Sequence, residues 1–318
     1  MMEVSVIIPN FNGIAFLDTV LNSLEGQSMN DFEVILVDNG STDGSCSFTA
    51  ANYPWVHILE LPDNFGFCRA VNEGIRASKA PYVLLLNNDT EVTENFVEEM
   101  LAAIKRHRKA FSCGARMVQY HDRDRLDDAG NYYCALGWSF ARGRGRDIHT
   151  FEKEEKVFAA CAGAAIYRKK ILEQIGLFDE EHFAYLEDVD IGYRARIYGY
   201  ENWYAPEAVV YHVGSGTSGS RYNQFKTRYS SRNNVYLVYK NMPFLQILLN
   251  LPFLAAGFAI KFLFFAVKGM GREYLAGIKN GFSISRKEKK VPFQWKHLKN
   301  YARIQIELWV NILRRLGK

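Results

Sequence analysis

The sequence predicts an α/β protein: a mostly parallel sheet with helices on both faces, followed by a basic, apolar helical region. Two observations carry this. Short apolar runs alternate with stretches of helical spacing from Val4 to Arg106, the pattern of βαβ units. The charge is also divided: Gly216–Lys318 holds 19 basic residues against Glu273, Glu288 and Glu307, a net +16, leaving 20 basic and 32 acidic residues elsewhere, a net −12. Two parts with different partners share one chain, and the boundary is expected at residues 219/220: 1–219 the α/β part, 220–318 a basic, apolar helical region.

The elements follow in order. Val4–Ile8 is a strand; Phe16, Leu17, Val20, Leu21 and Leu24 mark one face of a helix; Val34–Val37 is a second strand. Val56–Leu61 reads as a third strand, Arg69–Ala77 as a helix, Tyr82–Leu86 as a fourth strand, and Glu94–Arg106 as a helix with acids in its first turn. From Gln119 to Lys156 the pattern gives way to Asp, Arg, Gly and aromatics, which predicts an exposed, mobile excursion. Val157–Tyr167 is small and apolar, Lys169–Ile175 and Asp188–Tyr198 are helical, and Ala208–Tyr211 is a strand.

Composition excludes several classes. With 48% hydrophobic and 23% charged residues the 318-residue chain is neither disordered nor collagen-like. Five scattered cysteines, an odd number without metal-ligand spacing, fit a reducing compartment. The N-terminus carries no basic, cleavable apolar leader, so no secretion signal is expected. Phe244–Val267 is almost wholly apolar but contains Pro252 and Lys261. That favours a helical hairpin or an in-plane segment on an anionic membrane over a full span, with a buried helical pair as the alternative.

In an open parallel sheet, ligands bind beyond the carboxyl ends of the strands. There the sequence offers Pro9-Asn10-Phe11-Asn12, Asp38-Asn39-Gly40-Ser41-Thr42-Asp43, Asp63-Asn64-Phe65-Gly66-Phe67 and Asn87-Asn88-Asp89. These four sets are expected to converge on one cleft. They suit a nucleoside diphosphate: Phe11 to pack on a base, Asp38 to accept a base N–H, glycine turns for close backbone approach. No phosphate-cradling loop follows the first strand, which argues against a P-loop kinase and a dinucleotide dehydrogenase. The diphosphate charge then calls for a divalent cation on a carboxylate such as Asp89.

Ser5–Asn12 (SVIIPNFN), Val37–Gly44 (VDNGSTDG), Asn64–Asn72 (NFGFCRAVN) and Leu85–Val92 (LLNNDTEV) resemble family 2 glycosyltransferases of the GT-A fold. Cys161–Arg168 (CAGAAIYR), Ile175–Asp179 (IGLFD), Tyr185–Arg194 (YLEDVDIGYR) and Pro206–Ser215 (PEAVVYHVGS) are similar to the acceptor-side blocks of that family, especially its rhamnosyltransferase-like branch. The resemblance implies that Pro9, Phe11, Asn12, Asp38 and Asn88 bind the nucleotide, that Asp89 of a DxD-like motif and His212 hold Mn2+ or Mg2+, and that Asp188 is the general base of an inverting transfer. It further implies that Glu187 orients the acceptor and that Gly163 and Ala164 leave room for the sugar. Asn64 and Gly66 either bind donor or only shape a turn. The motif reads Asn87-Asn88-Asp89, so Asp89 alone brings the negative charge.

The implied partners are a UDP- or dTDP-sugar, a glycan or lipid-linked glycan acceptor and an anionic membrane surface, with the enzyme peripheral on the cytoplasmic face and no nucleic acid. Each residue alone reads another way: Asp38 and Asp43 as turn and cap residues, Phe11 as core, His212 as a satisfied polar group, Asp188 and Asp190 as complements of a helix dipole. Two other functions compete: a nucleotidylyltransferase, and a non-catalytic nucleic-acid-binding protein using the +16 region.

Overall fold

The computed structural model describes residues 2–214, 222–288 and 290–316; the expected boundary at 219/220, and Ser215 of the block 206–215, lie outside them. The chain begins β1 (Val4–Asn10), α1 (Ile14–Glu25), β2 (Phe32–Asn39), α2 (Ser45–Asn52), β3 (His57–Leu61), α3 (Phe67–Ala77), β4 (Tyr82–Leu86), β5 (Thr90–Val92) and α4 (Phe96–Arg106). It continues with β6 (Ala110–Gln119), β7 (Asp122–Asp128), β8 (Asn131–Cys134), β9 (Trp138–Ala141), β10 (Glu155–Val157), β11 (Ala164–Arg168), α5 (Lys169–Ile175), α6 (Glu187–Ile197) and β12 (Glu201–His212). The remaining helices are α7 (Gln224–Asn241), α8 (Phe244–Val267), α9 (Gly271–Ser285) and α10 (Leu298–Leu316).

The main sheet runs β10-β12-β6-β11-β4-β1-β2-β3, with β5 on β12 and β7 on β6. Strands β4, β1, β2 and β3 are parallel, as the alternation predicts, while β11 enters antiparallel between β4 and β6. The apolar strands are buried on both faces, as parallel strands flanked by helices are. Val6, Ile8, Val34, Leu36, Leu84 and Leu86 pack with Leu17 of α1 and Phe96 of α4; the alternate residues Ile7, Ile35, Val37, Val83 and Leu85 pack with Val71 of α3 and Ile191 of α6. Period-two alternation thus feeds two cores from one set of strands.

Within residues 119–156 the expected exposure holds for 121–125 and 144–147, whereas 126–135 and 142–143 are buried. The segment forms β7, β8, β9 and part of β10, and Arg142, only 2% exposed, donates to the Ala129 carbonyl, pairs with Glu155 and lies over the rings of Phe151 and Tyr204. The middle of the segment is buried with polar groups such as Arg142 paired, which composition does not distinguish from solvated ones.

The C-terminal helices join the rest of the chain in a third core: Tyr133, Phe158, Val189 and Tyr193 pack with Leu237, Leu254, Ile304 and Leu308. Helix α8 is continuous through Pro252 and is followed within a few residues by α9, a helical hairpin. Its pattern is inverted. The buried positions are Gln246, Asn250, Leu254 and Gly257, spaced as one helical stripe, with Gln246 accepting from Tyr193 and Asn250 paired with Gln305. Phe244, Leu245, Leu263 and Val267 point outward, Val267 being 90% exposed.

Candidate active site

The parallel register sets Asn10 opposite Asp38 at the ends of β1 and β2. Asn10 Nδ2 donates to Asp38 Oδ1 at 2.9 Å, and Asn88 Nδ2 donates to Asn10 Oδ1 at 2.7 Å. The second Asp38 oxygen accepts from the Ser41 N–H at 2.9 Å, so this carboxylate, 3% exposed, holds the β2 turn in place. Asn12, exposed and at φ 49°, accepts from the Thr42 N–H and donates its own N–H to Ser41 Oγ, both at 2.8 Å. Pro9 and Phe11 beside it are half-buried. The ends of β2 and β3 are tied by Asn39 Nδ2 donating to Asn64 Oδ1 at 2.9 Å. All four strand-end sets therefore meet, as expected. Asn10 is the hub that sequence reasoning did not single out, and Gly13 gives it room, since a Cβ there would collide with the Asn10 and Asn88 side chains.

Antiparallel pairing of β5 with β12 places His212 opposite Thr90, and so beside Asp89. His212 Nε2 lies 3.3 Å from Asp89 Oδ1, and Nδ1 lies 2.8 Å from Asp127 Oδ2. Burial opposes charging of this imidazole, but its hydrogen bonds to Asp127 and Asp89 outweigh burial and push its pKa up to about 9. Among the described residues no three His, Cys, Asp or Glu side chains are grouped to hold an ion. Two neighbouring ligands on bonds of roughly 2.1 Å in an octahedral shell sit about 3 Å apart, so Asp89 and His212 fit adjacent positions of a hard divalent cation. Asp127 on the far ring nitrogen has the place of a partner that orients a metal-bound histidine.

Glu187 and Asp188 open α6 after a strained loop in which Phe183, Tyr185 and Leu186 have φ of 59°, 73° and 66°. From α7, Asn233 Nδ2 reaches the carbonyls of His182, Ala184 and Tyr185, each at 2.8 Å, and Arg232 donates to those of Glu181 and His182. Gly66 (φ 86°) lies against this loop: a Cβ would press into the Phe183 ring. Asp188 Oδ2 accepts from Asn131 Nδ2 at 2.8 Å and Oδ1 from the Val189 N–H at 2.7 Å. Burial raises the Asp188 carboxyl above its ordinary range. Burial and the neighbouring Asp188 charge raise Glu187, whose Oε2 is sealed from solvent and makes no hydrogen bond among the described residues. Asp128, pushed by burial up to about 7, accepts from the Gly130 N–H.

The turn from β7 to β8 therefore reaches both ends of the site, Asp127 to His212 and Asn131 to Asp188. Gly163 and Ala164 are buried in the sheet: the Gly163 carbonyl accepts from the Asn87 N–H at 2.8 Å, and Ala164 pairs with Leu86. Asp127 and Asn131 had one sequence signal, the turn chemistry of Asp128-Ala129-Gly130-Asn131. Asn233 also had one. Adjacent Asn233-Asn234 are poor helix formers in mid-helix, which marks a position held by tertiary contacts.

Residues 5–176 match the family Glycosyl transferase family 2. A relative from Mycobacterium tuberculosis, N-acetylglucosaminyl-diphospho-decaprenol L-rhamnosyltransferase, is 28% identical in an alignment of 226 positions that covers 64% of this chain and 73% of the relative. Among solved structures, GalNAc-T7 with UDP, GalNAc and Mn2+ superposes with a TM-score of 0.60 at 17% identity, covering 75% of this chain and 48% of that one, about half its length. Staphylococcus aureus TarS 1-349 in complex with UDP superposes with a TM-score of 0.53 at 18% identity, covering 94% and 80%. These likenesses place the fold in the GT-A class.

Proposed function

This chain belongs to glycosyl transferase family 2, and from that premise we propose that it moves a sugar, rhamnose being the first candidate, from a UDP- or dTDP-sugar to a lipid-linked glycan with inversion. The observation that carries the proposal is the β7–β8 turn, through which the Asp89–His212 pair and Asp188 belong to one constellation. Pro9, Phe11, Asn12, Asp38, Asn64, Gly66 and Asn88 form the nucleotide end. Asp188 takes the proton from the acceptor hydroxyl as that oxygen attacks the anomeric carbon from the face opposite the leaving group, which gives inversion. Glu187 orients the acceptor, and Gly163 and Ala164 leave room for the sugar. Asp89 and His212 would hold Mn2+ or Mg2+, which when bound supplies charge neutralisation to the departing nucleoside diphosphate.

Residues 1–219 are proposed as the catalytic part and 220–318 as its membrane-facing brace. Two features support a position on the cytoplasmic face: the inverted burial of α8, a 24-residue helix whose apolar side chains mostly face outward, and the +16 charge around it. The decaprenol named in the mycobacterial relative is a lipid carrier of the expected kind.

The test is thermal protection by a panel of UDP-, dTDP- and GDP-sugars with and without manganese or magnesium, followed by product analysis. Release of nucleoside diphosphate is expected. Release of inorganic diphosphate instead would identify a nucleotidylyltransferase.

A further inference from the structure

Between α7 and α9 lies a cavity of about 430 Å3 lined by Phe225, Arg228, Tyr229, Arg232, Glu273 and Asn280. Arg228 is half exposed, and its nearest acid, Glu273, is 4.0 Å away. Arg232 uses Nη2 on the Glu181 and His182 carbonyls and Nε on Asn233, while its Nη1 makes no hydrogen bond among the described residues. The Arg232 guanidinium stands over aromatic material: it lies 4.5 Å above Tyr229, whose ring is 4.5 Å from that of Phe225.

The cavity has a different neighbour at each end. Inward, Phe225 reaches Tyr185 at 6.2 Å and Tyr229 reaches Phe183 at 5.2 Å, the loop that leads into Glu187 and Asp188. Outward, Tyr222 meets Phe264 at 5.5 Å and Phe265 at 6.3 Å near the C-terminal end of α8, where Phe264 and Val267 are exposed. A ligand seated here therefore has the apolar end of α8 on one side and the loop that precedes the candidate base on the other. A guanidinium donates charge-assisted hydrogen bonds to phosphate oxygens, and the Arg228 fork together with Nη1 of Arg232, two positive charges against a single carboxylate, suits a multiply charged anion.

We infer that this cavity binds the diphosphate of a polyprenyl-linked acceptor, with the lipid leaving along the α8 side and the sugar directed toward Asp188. The inference rests on the proposed glycosyl transfer and adds where the acceptor is held. It also gives Arg232 a double task, one edge bracing the loop before the base and the other facing the ligand that the base must meet.

The test is calorimetric binding of dispersed farnesyl diphosphate to the full chain, with inorganic diphosphate and farnesol as separate arms. Farnesyl diphosphate should bind at least about tenfold more tightly than either fragment, and Arg228→Gln should weaken it about tenfold, the loss of one charge-assisted contact. Arg228→Lys should recover part of that loss, and Glu273→Gln should tighten binding by removing the one acid. Thermal unfolding of each variant checks that it is folded. Unchanged affinity in folded Arg228→Gln, equal binding of farnesol or of inorganic diphosphate, or competition by UDP would each overturn the assignment. Nucleotide binding by the wild-type chain is measured alongside: its failure sinks the proposed transfer, whereas its success with any overturning result sinks only the acceptor site.

Discussion

Lys240 Nζ lies 2.9 Å from Asp190 Oδ2, a buried ion pair joining α7 to α6 directly behind the candidate base. Asn241 donates to the other Asp190 oxygen at 2.7 Å, Arg194 Nε donates to Oδ2 at 2.9 Å, and Lys240 also pairs with Asp179. Burial alone would raise the Asp190 carboxyl, yet the charges of Lys240 and Arg194 hold it far below the usual range. Two parts of the chain that differ by net charge are thus bound through one of its most buried acids.

Lys240→Met should therefore destabilise the protein by about 1.5–3 kcal/mol, the loss of one charge-assisted partner while Arg194 and Asn241 still hold Asp190, read from denaturant unfolding. A chain ending at residue 219 lacks Lys240, Asn241 and Asn233 and should show no cooperative melt. A transition within a few degrees of the full chain would show the brace to be dispensable. The pH sign follows from the depressed Asp190 carboxyl: its stabilisation is complete above the ordinary value of 3.8 and is lost as pH falls from there toward the folded-state value.

The sheet was legible because Val6, Ile7 and Ile8, like Leu84, Leu85 and Leu86, are apolar on both faces, and burial by helices on two sides leaves that mark in sequence. The strand-end cleft was legible for the same reason, since polar residues stand where each apolar run stops. Arg142, Asp127 and Asn131 were not, because a buried polar residue is identified by its partner, and those partners, Glu155, His212 and Asp188, lie 13, 85 and 57 positions away. Nor was the bracing by Asn233, which depends on three carbonyls of another element.

Asp89→Ala should abolish most of the metal dependence of donor binding, because the pair loses its only carboxylate ligand; His212→Ala should do less. Asp127→Asn tests the orienting role separately and should weaken manganese affinity roughly 10–100-fold while leaving the fold intact. Metal titrations followed by donor thermal protection read all three, and a donor response in Asp89→Ala equal to wild type would move the ion elsewhere.

Asn233→Ala removes one amide from three carbonyls of a loop with three positive-φ residues, conformations that cost about 1–3 kcal/mol each unless the surroundings impose them. Turnover should fall while donor affinity stays, since the nucleotide end is built on other strands. A folded Asn233→Ala enzyme with unchanged kcat would remove the loop from the mechanism.

Asp188→Asn separates base from cap. The amide keeps the size of the carboxylate but cannot take a proton, so donor binding should persist while transfer drops by about 10²–10⁴. In wild type, burial raises the Asp188 carboxyl, so transfer should fall as pH descends through that raised value, and the variant's residual rate should lack this limb. Stability moves in the opposite sense. A carboxyl whose folded-state value is raised contributes stability that is present below the ordinary 3.8 and is lost as pH rises through the folded value. The Asn variant does not titrate there, so it should gain stability relative to wild type on going from acid to neutral pH. A residue that only serves the first turn of α6 would tolerate Asn, which caps about as well as Asp, and keep its turnover. Near-wild-type transfer in Asp188→Asn would therefore transfer the role of base to Asp128 or Glu187, the other carboxyls raised by burial beside it.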